Sequence, residues 1–220
     1  MRATAFFLRR KIITNNFDRF KVDWPEGSVG DWTIERHTVT IEDEQAQRIR
    51  LWNPTSLGRF TPAGTYTGLK RDGELIMSDS PDEIEDLMPF IDQAHGRVLI
   101  NGLGLGVGLK AILDKTNFMS DEPSVTHVDV VEIDPDVITL VGPNFGGDSR
   151  VHIWRGDAFT YHWQPGTTWD SAWHDIWDAI CTENLIGMKR LHRRYGKRVG
   201  WQGSWCRSLC EYQQRHNSGW

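Results

Sequence analysis

No apolar run in this chain approaches the roughly 18 residues that a bilayer-spanning helix needs. The apolar piece near the start, residues 5–8, is shorter than the core of a secretion signal. Its positive charge (Arg9, Arg10, Lys11) follows rather than precedes it. Together these absences lead us to expect a cytoplasmic protein with no membrane association. Cysteine is scarce: Cys181, Cys206 and Cys210 are the three in 220 residues. An odd, sparse set does not make a disulfide framework. Cys206 and Cys210 have the spacing of one helix face, but no Cys-x-x-Cys or His-x-x-x-His completes a metal set, so reduced thiols and no metal are expected. A strong excess of one charge is also missing. With 25 Lys and Arg against 30 Asp and Glu, the net charge of −5 gives no overall polyanion binder. There is no internal repeat and no low-complexity tract.

Two things are present in excess. Eleven tryptophans are many for one chain of this size, and they serve either as core or as flat faces for a cation or a base. The cationic residues are also unevenly placed. After Ile186 come Lys189, Arg190, Arg193, Arg194, Lys197, Arg198, Arg207 and Arg215, against the single acid Glu211. Such a segment is either a solvated face or a contact for phosphate or an acidic partner, and nucleic acid is one candidate through residues 189–198.

The first ninety residues read mostly as β. Residues 33–41 are rich in β-branched side chains, and residues 65–70 and 74–77 flank Asp72-Gly73, which suits a tight hairpin. Ser80, Pro81 and Glu83 then predict a helix start closed by a capping box, running to about Ala94. From residue 95 the pattern alternates. Strands are expected at 97–101, 125–133, 150–154, 169–176 and 198–202, and helices after most of them. Alternation of this kind implies a parallel sheet wrapped by helices. The division expected is a small β-rich domain over residues 1–79 and an α/β domain over 80–220.

Chemistry concentrates at three strand ends. Asn101 closes the first alternating strand and leads into Gly102-Leu103-Gly104-Leu105-Gly106. Glycines there let backbone N–H groups approach a ligand closely. The dinucleotide spacing G-x-G-x-x-G fails in both registers, because Val107 and Leu109 stand where the third glycine belongs, and no P-loop lysine is present. Glu132, followed by Ile133, closes the next strand. A carboxylate there can accept both hydroxyls of a ribose or, less demandingly, face solvent. Asp157, followed by Ala158, comes directly after the third strand. It can accept from an adenine amino group or cap a turn.

The segments VLINGLGLGVGLKAI, VDVVEIDPDVI and RVHIWRGDAF resemble the successive cofactor motifs of class I S-adenosylmethionine (SAM)-dependent methyltransferases, over about residues 96–160. The small β-rich start, the GTYTGL hairpin and the Asp82-Glu83 helix start are similar to the spermidine-synthase-like branch. The resemblance implies a Rossmann-like sheet and SAM as cofactor. It places Gly102, Gly104 and Gly106 near the methionine part, Glu132 on the ribose and Asp157 on the adenine. It also implies that Asp175, five residues after Asp170, sits beside the substrate and assists deprotonation. His174 is a second candidate base because its unperturbed pKa lies near neutrality.

The departures from that branch narrow the activity. Leu105 stands where aminopropyltransferases carry an amine-binding acid, and the proline-rich motif of amino-directed DNA methyltransferases is replaced by HDIWDAI. Few residues follow Gln202, so the sheet is expected to be shortened, with an edge open to a partner such as a second copy of the chain. The expected activity is methyl transfer to an unidentified acceptor. The alternatives are aminopropyl transfer and a non-catalytic SAM- or nucleotide-binding protein.

Overall fold

The computed structural model describes residues 17–51, 59–116 and 123–217; the apolar piece at 5–8 lies outside them. Two sheets organise the chain. The first is an antiparallel meander of β1 (Gly27–Val29), β2 (Trp32–Val39), β3 (Gly64–Arg71) and β4 (Glu74–Ser78), in that spatial order. The β3–β4 turn has Asp72 and Gly73 at φ 53° and 81°, the left-handed pair that a two-residue hairpin requires.

Between β2 and β3 the chain makes a helix that the β-rich reading missed, α1 (Ile41–Arg50). It buries no side chain, so it carries no core-facing periodicity to read. Its signal is local. Thr40 Oγ1 accepts from the Asp43 N–H at 3.1 Å, and the Asp43 carboxylate accepts from the Thr40 N–H at 3.0 Å. That reciprocal pair is a capping box.

The helix expected after residue 80 is α2 (Pro81–Gln93). Its predicted capping box does not form. Ser80 Oγ donates to Asp82, and Glu83 turns back to accept from the Ser78 N–H at 3.1 Å. Glu83 is thereby freed from a purely local role.

The second sheet holds β5 (Gly96–Asn101), β6 (Val125–Glu132), β7 (Val151–Arg155), β8 (Trp169–His174) and β9 (Val199–Ser204), ordered β7-β6-β5-β8-β9 and parallel throughout. Val98, Leu99 and Ile100 are all buried, as expected of a central strand covered on both faces. Helices α3 (Val107–Leu113), α4 (Pro135–Val141), α5 (Asn184–Tyr195) and α6 (Arg207–Asn217) complete the unit. Asp134 caps α4 by accepting from the Asp136 N–H at 2.9 Å, and Pro135 occupies its first turn.

This is the α/β, Rossmann-like class, with five strands among the described residues. Strand order reverses between β5 and β8, the switch point where such sheets open a crevice at their C-terminal ends. Among the described residues no strand pairs with the outer side of β9 or of β7. Cys206 stands just before α6 and Cys210 inside it, both buried; these two thiols and that of the half-buried Cys181 are free.

The two sheets share one core. Trp32, Ile34 and Leu69 of the antiparallel sheet belong to the same apolar cluster as Leu87, Phe90, Val98 and Val107. Directional contacts reinforce it: Trp24 Nε1 donates to the Leu105 carbonyl at 2.8 Å, and Trp32 Nε1 donates to Asp134 at 2.7 Å. The antiparallel sheet therefore forms one wall of the crevice. No helix among the described residues is long and apolar enough to cross a membrane.

Candidate active site

A cavity of about 420 Å³ opens at the C-terminal ends of β5, β6 and β8 and just beyond the end of β7. Gly102 and Gly104 form its floor. Gly102 has φ 96°, and a Cβ there would meet the Asp175 carbonyl oxygen at 1.8 Å. No side chain fits at that position. The reason is the Asp175 backbone, whose N–H donates to the Asn101 carbonyl at 2.8 Å and extends the β5–β8 pairing by one residue. The glycine loop and Asp175 are thus locked to each other.

Met77 of β4 lies over the loop. Its sulfur accepts from the Leu105 N–H at 3.2 Å and would be 2.8 Å from a Cβ on Gly104. Gly106 does not line the cavity. A Cβ there would meet the Phe145 ring at 2.8 Å, so this glycine serves packing between α3 and the turn after α4.

Glu132 sits at the end of β6, 7% exposed. One carboxylate oxygen accepts from the Leu103 N–H at 2.7 Å and the other from the Asp134 N–H at 2.8 Å. Burial raises this carboxyl above its ordinary range, and the surrounding N–H groups pull it back. Each oxygen has a second lone pair, so the group is aimed and still able to accept. Ile133 is 65% exposed on the cavity wall, a large apolar side chain held at a rim.

Asp157 and Ala158 line the same cavity from the third strand end. The Asp157 carboxylate also accepts from the Phe159 N–H at 2.8 Å, so the turn-capping role is real. That bond fixes the carboxylate without using all its lone pairs.

Asp175 lines the cavity beside the loop, and Glu83 faces the same space from the start of α2. Burial pushes Asp175 up to about 7 and Glu83 up to about 8; the Asp175 charge adds to the rise at Glu83, and the charges of Asp86, Asp178 and Glu132 add to the rise at Asp175. Sequence reading gave Glu83 only a capping role. No local signal marks its turn toward a residue 92 positions away. Arg71, on the β3 hairpin, lies 5.2 Å from the Trp32 ring centre and pairs with Asp178 at 2.5 Å. This ion pair bridges the two walls across the mouth.

Besides Gly106, two more expected site residues lie elsewhere. His174 is fully buried and outside the cavity lining. Its Nδ1 accepts from the Asn101 side-chain N–H at 2.7 Å, and its Nε2 faces the Gln202 oxygen at 3.1 Å. Burial pushes its pKa down to about 4. The alternation of β8 explains the correction: adjacent side chains face opposite ways, so His174 and Asp175 do not share one site. The Asn101 side chain follows His174 into the sheet; its backbone alone serves the loop. Of the tryptophans, Trp32, Trp177 and Trp205 line the cavity, while Trp173 stacks on Phe90 in the core.

The raised carboxyls make a pH prediction with a definite sign. In the fold Asp175 and Glu83 keep protons that the unfolded chain releases near 3.8 and 4.5. Their stabilising effect is full below about pH 4. It declines as pH rises and is gone above about pH 8. Urea midpoints measured from pH 5 to pH 8 should therefore fall less steeply in Glu83→Gln than in the parent. An identical slope would mean that Glu83 is already ionised throughout.

No protein-family profile matches the chain, and no curated protein matches it. Similar solved structures include an S-adenosylmethionine-dependent methyltransferase from Clostridium acetobutylicum, 11% identical over 54% of this chain and 44% of that one, with a TM-score of 0.37. A dimethyladenosine transferase from Plasmodium falciparum is 18% identical over 42% and 30%, with a TM-score of 0.31. The YcgJ protein of Bacillus subtilis is 19% identical over 42% and 38%, with a TM-score of 0.34. The chain spans less than half the length of each of these three.

Proposed function

We propose that this chain is a SAM-dependent methyltransferase whose acceptor is unidentified. The observation that carries the reading is Glu132. It is a nearly buried carboxylate, oriented by two backbone N–H groups, at a strand end on the wall of a 420 Å³ cavity. Burial still raises this carboxyl despite those two bonds, and a ribose diol matches its remaining lone pairs.

The residues present fit the cofactor. Glu132 would hold the ribose, Asp157 the adenine amino group, and Ile133 and Ala158 the flanks of the base. Gly102 and Gly104 leave the floor bare for the methionine part, with Met77 as the side chain that must yield there. The cofactor would supply a methyl group on a sulfonium sulfur. The chain's own work is alignment of the acceptor and management of its proton. Alignment supplies much of the rate in a displacement of this kind. Asp175, fixed to the glycine loop through its backbone, is the base that would take the acceptor's proton. Glu83 would share the proton with it, because two neighbouring carboxyls in one cavity resist ionising together.

The fully buried Leu105 supports methyl rather than aminopropyl transfer, since it puts no charge at the amine-binding position of the branch the sequence resembles. Calorimetry with SAM, decarboxylated SAM and NAD side by side tests the reading. The expected order puts SAM first. Preference for decarboxylated SAM would replace methyl transfer by aminopropyl transfer, and preference for NAD would remove both.

A further inference from the structure

The chain between β7 and β8 is where the sheet departs from regular helix covering. Residues 156–168 contain no helix. Instead they lay Tyr161 and Trp163 beside the exposed Trp154 of β7. Tyr161 and Trp163 are 4.6 Å apart, and each ring centre lies 6.4 Å from that of Trp154. His152 continues the row, 6.4 Å from Trp154 and nearly parallel to it. The row begins at the cavity wall, because Tyr161 packs where a Cβ on Gly156 would stand.

One helix flanks this row with cations at successive turns. Arg190 lies 4.7 Å from the Phe159 ring centre. Arg194 donates to the Tyr161 carbonyl at 2.5 Å, and Arg198, just past α5, donates to the Gln164 and Thr167 carbonyls at 3.3 Å. Arg193 and Lys197 are exposed beside them. None of these five has a carboxylate partner among the described residues. From residue 184 to residue 210 the sequence holds no acid at all. In a protein of net charge −5, an acid-free cationic stripe beside half-exposed rings is not a feature of general solubility.

We propose that the aromatic row of Trp154, Tyr161 and Trp163, with the stripe of Arg190, Arg193, Arg194 and Arg198, is a binding surface for single-stranded nucleic acid. Every base offers a flat face to the rings, and the phosphates follow the arginines. Unpaired bases are required, because a duplex hides its faces. The surface stands on its own observations and does not depend on methyl transfer in the cavity.

Fluorescein-labelled oligo(dT) and oligo(rU) of 12 nucleotides, read by anisotropy, test it on the full chain. Binding should weaken linearly in log–log form with salt, with a slope near −2 if about three phosphates are neutralised. Trp154→Ala and Tyr161→Ala should each weaken binding about tenfold, the scale of losing one stacked base. Arg193→Glu is the control for folding, since the Arg193 side chain is exposed and holds no loop carbonyl. It should lower affinity and flatten the salt slope with an unchanged melting temperature. A duplex of the same length, and poly-glutamate, should bind at least tenfold more weakly. Equal binding of the duplex, equal binding of poly-glutamate, or no effect of the two ring substitutions would each overturn the proposal. So would absence of binding at low salt.

Discussion

Alanine at position 132 is expected to reduce SAM affinity about 100-fold or more in calorimetry. Hydrogen bonds to a charged group contribute about 1.5–3 kcal/mol each, and a ribose diol makes two. Their loss is about 3 kcal/mol at the low end, which is a factor of roughly 100. The alanine also strips acceptors from the Leu103 and Asp134 N–H groups, so part of the effect is a loosened glycine loop. Glu132→Gln separates the two contributions. Its amide oxygen still accepts from one N–H, while its charge and one acceptor are gone. The glutamine variant should melt close to the parent and lose about tenfold in affinity. Unchanged affinity in both variants would remove Glu132 from the cofactor site, and with it the observation on which methyl transfer rests.

The parts of this molecule that were legible in the sequence are those whose cause is local. The β3–β4 turn is written in Asp72-Gly73, the start of α4 in Asp134-Pro135, and the central strand in the unbroken apolar run 98–100. The three strand-end positions, Gly102, Glu132 and Asp157, were found because a parallel sheet brings its C-terminal ends to one edge regardless of detail. What was not legible depends on which way a side chain turns. His174 and Asp175 are neighbours in sequence and opposites in the sheet, so one faces the cavity and the other is lost to Asn101 and Gln202. Glu83 was read as a cap because its spacing from Ser80 fits one. The fold instead gives Ser80 an acid partner of its own, Asp82, and Glu83 to the cavity. The glycines divide on the same principle. Gly102 and Gly104 meet the cavity and Gly106 meets Phe145, a distinction that spacing alone does not contain. Helix α1 was missed because it buries nothing, which leaves only its capping residues to announce it.

The second large effect is expected at Asp175. If it takes the acceptor's proton, Asp175→Asn should leave SAM affinity within about threefold of the parent and cut transfer of a radiolabelled methyl group into a cell extract about 100-fold. General-base assistance is worth roughly that much at its lower end. The two readouts separate because the asparagine preserves the backbone, and the backbone is what ties position 175 to the glycine loop. The pH profile carries the finer test. Burial pushes the Asp175 carboxyl up to about 7, so the parent should show a rising limb centred near neutral pH as the base loses its proton. The asparagine variant has no such proton to lose, and its residual rate should be flat across that limb. Glu83→Gln should leave the limb near neutral pH, because Glu83, pushed up to about 8, is still largely protonated and uncharged while Asp175 loses its proton. A limb unchanged in the asparagine variant would mean that the acceptor arrives already deprotonated, and the role of Asp175 would then be to position the acceptor beside the glycine loop.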